Sequence, residues 1–206
     1  MIDFKKERVY KAQAEPEIVD IPQMLFVMTD GKGAPDVSSI AESDFQESMQ
    51  IIYGIVYTIK FWDKKHQPPK GFDKFTMPPV EALWWMSDGS DFNLDKSELW
   101  RWTAIHRLPD FVTAAYFEEI VDAVCKQKGS EIFRKARLEK YHEGHAVQLM
   151  HIGPYDQETE NIQRMHDFAE SEGYQLHGRH HELYMNDPRR VAPDKVKVIL
   201  RHPVKK

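Results

Sequence analysis

Two stretches of this chain run through the same order of elements. QMLFVMTDGKG (Gln23 to Gly33) corresponds to HAVQLMHIGPY (His145 to Tyr155), and the helical stretch from Asp44 corresponds to the one from Glu158. VEALWWMSDG then corresponds to HELYMNDP, and LWRWTAIHRLP to KVKVILRHPV. Each half reads strand, helix, strand, strand, from runs of alternating or continuous apolar residues and one stretch of helical period. Such a half has an apolar sheet face and bare strand edges that it cannot cover alone. The expected class is therefore α+β: two repeats with pseudo-twofold symmetry forming one antiparallel sheet, helices on one side and a ligand cleft on the other. The expected extent is a single domain over 1–206, with repeat 1 at about 20–109, a helical connector at 110–143 and repeat 2 at about 144–206.

Local signals place the elements. Ser43 or Asp44 can cap a helix in which Phe45, Met49, Ile52 and Val56 fall near helical spacing. The pairs Pro68-Pro69 and Pro78-Pro79 exclude helix between them, because proline lacks the donor and clashes with the preceding turn. VEALWWM and LWRWTAIHRL read as an antiparallel hairpin. FVTAAYFEEIVDAVCKQKG and SEIFRKARLEKYHEG both have helical composition, with Asp110 and Ser130 as caps and Gly129 and Gly144 as stops. The residues before Gln23 read as a polar arm, and each repeat closes on a proline after its last strand.

Whole-chain properties narrow the function. A chain of 206 residues has ample core without staples, and its one cysteine, Cys125, excludes an internal disulfide and a zinc cluster. A reducing, cytoplasmic setting is expected. No run approaches the roughly 20 apolar residues of a membrane span, and the charged N-terminus has no signal-peptide core. The net charge is −5, with basic residues dispersed among acids, so neither nucleic acid nor membrane is an expected partner. GxSxG and GxGxxG do not occur, and GKGAPD lacks the GK[ST] of a phosphate loop. In HGRHHE, strand alternation sends His180 and His181 to opposite faces, which disfavours a shared metal ion. Neither a metal nor a cofactor is expected.

What remains is acid among rings. Four of the five tryptophans lie between positions 84 and 102, and the repeat alignment sets Glu81 in the place of Glu182. Alternation puts Glu81, Leu83 and Trp85 on one face, and Glu182 with Tyr184. Ala82, Trp84, Met86, Leu183 and Met185 would then point toward the helices. The two acids are expected to share the uncovered face, in a pocket for flat, apolar or cationic molecules. A glutamate desolvated among rings is also a usable proton acceptor. The plainer readings are a solvated Glu on an outer face, core packing for Tyr53 and Tyr57 at i, i+4, and core positions for Trp100 and Trp102.

The GPY turn and the E-x-Y-x-x-D-P segment, Glu182 to Pro188, resemble the GyrI-like small-molecule-binding superfamily, the fold of multidrug-sensor effector domains. The resemblance implies a glutamate in a hydrophobic cleft that contacts cationic or amphipathic ligands, here Glu182 beside Tyr184. Three roles occur in that family: effector domains joined to a helix-turn-helix, gyrase-inhibitor proteins, and hydrolases of cyclopropane-bearing DNA alkylators. The stretch before residue 23 is too short for a helix-turn-helix domain, and PPVEALWWM with LWRWT resembles the hydrolases best. The reading is a cofactor-independent hydrolase in which Glu182, Glu81 and Tyr57 serve catalysis and Tyr53, Trp85, Trp100, Trp102 and Tyr184 bind ligand. The alternatives are a non-catalytic sequestering or sensing protein and a gyrase-inhibitor-like interaction protein. Oligomeric state is not legible.

Overall fold

The repeated order of apolar runs is present in the folded chain. The computed structural model describes residues 1–34, 43–90 and 96–206; the GKGAPD motif beyond Ala34 and the middle of the hairpin loop lie outside the described residues. In chain order the elements are β1 (Glu17–Ile21), β2 (Met24–Lys32), α1 (Asp44–Lys60), β3 (Glu81–Met86), β4 (Trp100–Leu108), α2 (Ala114–Lys128) and β5 (Arg137–Tyr141). They continue with β6 (Gly144–Ile152), α3 (Glu158–Ser171), β7 (Gln175–Leu176), β8 (His180–Tyr184) and β9 (Lys197–Lys205). The two repeats are thus β2-α1-β3-β4 and β6-α3-β8-β9, with antiparallel pairing between their named strands. Among the described residues no helix is long and apolar enough to cross a membrane.

The chain forms two compact units, one of Met1–Asp3, Met24–Pro78 and Trp85–Tyr141, the other of Phe4–Gln23, Pro79–Trp84 and His142–Lys206. In the first, β2 lies between β4 and β5. The Ser43 side chain accepts from Gln46 N at 3.2 Å and starts α1, whose Ile51, Ile52, Ile55, Val56 and Ile59 are buried in a stripe that packs on β2 and β4. Helix α2 is capped by Thr113 rather than Asp110, because Pro109 O is used in a turn that accepts from Val112 N at 3.0 Å. It stops at Gly129, in the left-handed region at φ 63°. Ser87 N donates to Leu99 O at 2.8 Å across the expected hairpin.

SEIFRKARLEKYHEG is not a helix. A short 3-10 turn at Glu131–Lys135 leads into β5, which pairs with β2 from Met24↔Tyr141 to Met28↔Arg137. Helical propensity is worth a few tenths of a kcal/mol per residue, ~0.7 at most for ordinary residues, and the edge of β2 offers a row of backbone partners that outweighs it. Phe133 anchors the turn by lying on α1 at Gly54, where an added Cβ would stand 2.6 Å from the ring.

In the second unit the strands run β1-β6-β9-β8-β3, and β7 pairs with the end of β9. Helix α3 covers one face, where Met165 and Ala169 pack with Val147, Leu149, Val198 and Leu200. Pro203 lies inside β9 rather than after it; it is past the Val198–Arg201 stretch paired with β8, so its missing N–H interrupts no ladder there. The N-terminal arm is not a loose polar tail. It buries Phe4, Val9, Tyr10 and Ile21, and its strand β1 pairs with β6. β1 leads into β2 yet pairs with β6, and β5 leads into β6 yet pairs with β2. Each unit therefore takes as its outer strand the segment that precedes the other unit's first strand.

Candidate functional site

Pairing register decides which side chains share a face. Leu200 stands opposite Glu182 and Val198 opposite Tyr184, and both apolar residues pack under α3. Ala82 stands opposite Glu182, so it shares that face, whereas Glu81 stands opposite Leu183 and Leu83 opposite His181. Glu81 and Glu182 consequently project to opposite faces, a correction to the expectation that they share one. Glu182 and Tyr184 also lie on the α3 side, not on an uncovered side, while Leu183 points away from α3. The one-residue offset between β3 and β8 is the reason: it flips every side chain, and it is invisible to an alignment of repeats.

On the α3 face, Glu182 is 8% exposed. Its Oε2 accepts from the Tyr184 hydroxyl at 2.8 Å, and that hydroxyl in turn accepts from Trp84 Nε1 at 3.1 Å. Its Oε1 lies 3.3 Å from His180 Nε2. Tyr155 closes the group, its ring 6.3 Å from that of Tyr184 in an edge-on arrangement. Burial, then the negative charge of Glu182, pushes the Tyr184 phenol well above its usual value, so it stays a donor at neutral pH. Burial and nearby acids, first Glu158, push Tyr155 up to about 12. The GPY turn that carries Tyr155 has Gly153 at φ 144° and is held by the buried His151. Pro154 O can only accept, so His151 carries its proton on Nε2, 3.1 Å away, and takes the Asn161 amide at Nδ1 at 2.9 Å.

The opposite face is filled by charge. His181 sits between Glu143 (3.0 Å from Nδ1) and Glu81 (3.0 Å from Nε2), and Arg201 Nη1 donates to Glu143 at 3.2 Å. Both ring nitrogens meet carboxylates, which only accept, so the imidazole is doubly protonated and the four groups sum to zero charge. Burial alone would lower His181, but Glu143 and then Glu81 raise it to about 9. Burial alone would raise Glu143, but His181 and Arg201 draw it down to about 2. The N-terminal arm seals this network: Tyr10 donates to Glu81 at 3.0 Å, and Arg201 Nη2 donates to Val9 O at 2.7 Å. Glu81 is thus a buried member of an ion network.

The remaining expected residues lie in the first unit. Trp102 is buried, donates to Gly33 O through Nε1 at 3.1 Å, and covers Gly31 so closely that an added Cβ would clash with its ring. Trp85 and Trp100 are half-buried. Tyr53 and Tyr57 are exposed on α1 and continue into Phe61 as a ladder, Tyr57 stacked on Phe61 at 6.1 Å and 6°. Among the described residues no group of three or more His, Cys, Asp and Glu is placed to hold a metal ion.

A buried acid among phenols and an indole can serve a small-molecule site. Comparisons with known proteins place the chain as a whole. Residues 123–205 match the family described as GyrI-like small molecule binding domain. The crystal structure of an uncharacterized conserved protein from Listeria innocua is 38% identical, with a TM-score of 0.92 and 100% of each chain covered. The chain belongs to the GyrI-like family. A structure described as a hydrolase from Listeria innocua is 36% identical to this GyrI-like chain, with a TM-score of 0.87 and 100% of each chain covered. The C-terminal domain of EcmrR is 13% identical, with a TM-score of 0.54, covering 93% of this chain and 98% of that one, and shows the shared fold alone. No curated protein matches the chain.

The sequence reading of this GyrI-like chain missed Glu158, His151 and the Glu143–Arg201 pair. Glu158 had a signal: it falls on the same helical face as Ile162, Met165 and Ala169, where an acid breaks the apolar stripe. The Glu143–Arg201 pair had none, since the two are brought together only by the pairing of distant strands.

Proposed function

We propose that this chain is a cofactor-independent hydrolase that binds flat, hydrophobic or cationic molecules and adds water to a strained ring. Its substrates are cyclopropane-bearing DNA alkylators, and the activity protects the cell that makes it. The observation that carries this reading is Glu182, a nearly buried carboxylate whose one oxygen is fixed by Tyr184 while rings of Trp84, Tyr155 and Tyr184 surround it. The names of Listeria relatives described as hydrolases, at 36% and 37% identity, support it.

In the proposed step Glu182 takes a proton from a water molecule as the water oxygen bonds to the less hindered cyclopropane carbon. The ring C–C bond breaks, and its electron pair passes through the conjugated dienone to the carbonyl oxygen. Protonation of that oxygen gives a phenol, so the net change is addition of one water. Tyr184 orients the base. Glu81 acts at a distance, by fixing β8 through His181, and the exposed rings of Tyr53 and Tyr57 offer a stacking surface to flat molecules.

Incubation of the purified protein with a cyclopropane alkylator should yield the water adduct by mass spectrometry over many turnovers. Glu182→Gln should slow formation by about 10²- to 10⁴-fold, the range of a lost general base. Binding in a one-to-one ratio without adduct would make the protein a sequestering one instead. Equal rates in Glu182→Gln and wild type would remove Glu182 from the chemistry.

A further inference from the structure

Helix α1 buries its isoleucine stripe and leaves three rings in water. Tyr53, Tyr57 and Phe61 are 36, 48 and 43% exposed and follow one another four residues apart. Their centroids stand 6.0 and 6.1 Å apart, and the planes of Tyr57 and Phe61 are 6° from parallel. A single exposed ring is ordinary, but contiguous rings mark a contact surface. Positive charge collects at the same end of the helix. Residues 60–74 hold five lysines against two aspartates, in a chain of net charge −5. Lys60 donates to Phe75 O and Lys74 pairs with Asp63 at 3.8 Å, so the segment folds back on the helix end. Asp73 is taken by the Met1 amine at 2.8 Å. Lys64, Lys65 and Lys70 are exposed and form no ion pair among the described residues. Lys64 Nζ stands 4.4 Å from the centre of the Phe61 ring. A helix C-terminus favours a cation near its last turn, which accounts for Lys64 but not for Lys70.

We propose that this face of α1 binds single-stranded nucleic acid, with bases on the rings of Tyr53, Tyr57 and Phe61 and phosphates near Lys64, Lys65 and Lys70. All six residues belong to the first unit, and the proposal does not rest on Glu182. Read along the sequence, the lysines are dispersed among acids, which made nucleic acid an unexpected partner; folding gathers them beside the rings. Every base has a flat face to stack and every phosphate a negative charge, so rings in a row next to lysines suit any single strand. A duplex hides its base faces in its own stack. A lipid surface buries rings in any orientation, so the near-parallel planes of Tyr57 and Phe61 favour bases.

The test is fluorescence anisotropy of a labelled oligothymidine titrated with the full chain over a range of salt. Wild type should bind it, and log Kd should rise with log salt at a slope of about 2, from three lysines at about 0.7 each. Tyr57→Ala should weaken binding by about 5- to 100-fold, the loss of one base stacked on a ring. Lys64→Gln combined with Lys65→Gln should lower the salt slope by about 1.4. These side chains are exposed, so the variants keep the fold, which their melting temperatures check. A duplex of the same length should bind more weakly than the single strand. No binding of oligothymidine at low salt overturns the proposal. Equal affinity of wild type and Tyr57→Ala also overturns it, since charge alone would then hold the strand. Binding to phosphatidylserine vesicles without binding to oligothymidine overturns it in favour of a lipid surface.

Discussion

The Tyr184 hydroxyl stands 2.8 Å from Glu182 and donates to it, in a chain that begins at the Trp84 indole. Tyr184→Phe keeps the ring and removes the link, so Trp84 loses this acceptor and Glu182 its donor. Loss of one partner of a buried bond costs about 1–3 kcal/mol. We expect a loss of stability of that size, seen as a lower melting temperature, and a fall in adduct formation, with retained binding of planar ligands. Unchanged melting and unchanged turnover together would show that the hydroxyl does not orient the acid.

Stability should fall above pH 6.5 and below about 4.5; between them Glu158, which burial and then Glu182 hold above the usual carboxylate range, gains as pH falls what His202 loses. His181, raised to about 9 from 6.5, keeps its proton when the unfolded chain releases it, so its contribution is full below 6.5 and fades toward 9. His202, lowered to about 3 by burial and then by His180, behaves oppositely: its contribution is present above 6.5 and is lost as pH falls toward 3. Glu143, lowered to about 2 from 4.5, loses its contribution between those values. Melting temperature measured across this range should show both limbs, and His202→Phe should alter the curve only below 6.5. A melting temperature that rises steadily from 6.5 to 9 contradicts the protonated His181.

Arg201→Leu leaves Glu143 and Gln148 Oε1 buried without the guanidinium that bonds both. Breaking a buried ion pair from one side costs about 3–5 kcal/mol. Chemical denaturation should report a loss in that range. Because Arg201 also holds Val9 O, the N-terminal arm should become more open to proteolysis. A loss below ~1 kcal/mol would mean that water replaces the guanidinium, and the network would not be the seal described above.

Tyr57→Ala removes a ring that is 48% exposed, so stability should stay within about 0.5 kcal/mol of wild type. If the α1 ladder stacks on flat ligands, ethidium affinity should fall several-fold, as expected for about 0.5–1.5 kcal/mol of ring stacking. Fluorescence titration decides it. Equal affinities would assign the ladder no part in binding.

Apolar period, caps and prolines are local properties, and with them the amino-acid sequence alone determined the doubled strand-helix-strand-strand order, the start of α1 at Ser43 or Asp44 and the stop of α2 at Gly129. It also marked Glu182 and Tyr184 as residues of one face, because alternation within five residues of one strand needs no partner. Beyond one strand, pairing decided. β5 became a strand because β2 had an edge to fill, though its residues favour helix. The arm before Gln23 became structure because Val9 O, Lys11 O and the Tyr10 hydroxyl meet Arg201, Gln148 and Glu81, far away in sequence. Glu81 and Glu182 occupy matching places in the two repeats, yet the register of β3 on β8 turns them to opposite faces. One acid is locked in a neutral ion network and the other stands with Tyr184 on the α3 side, since a strand's period of two lets a single-residue offset reverse what each side chain meets.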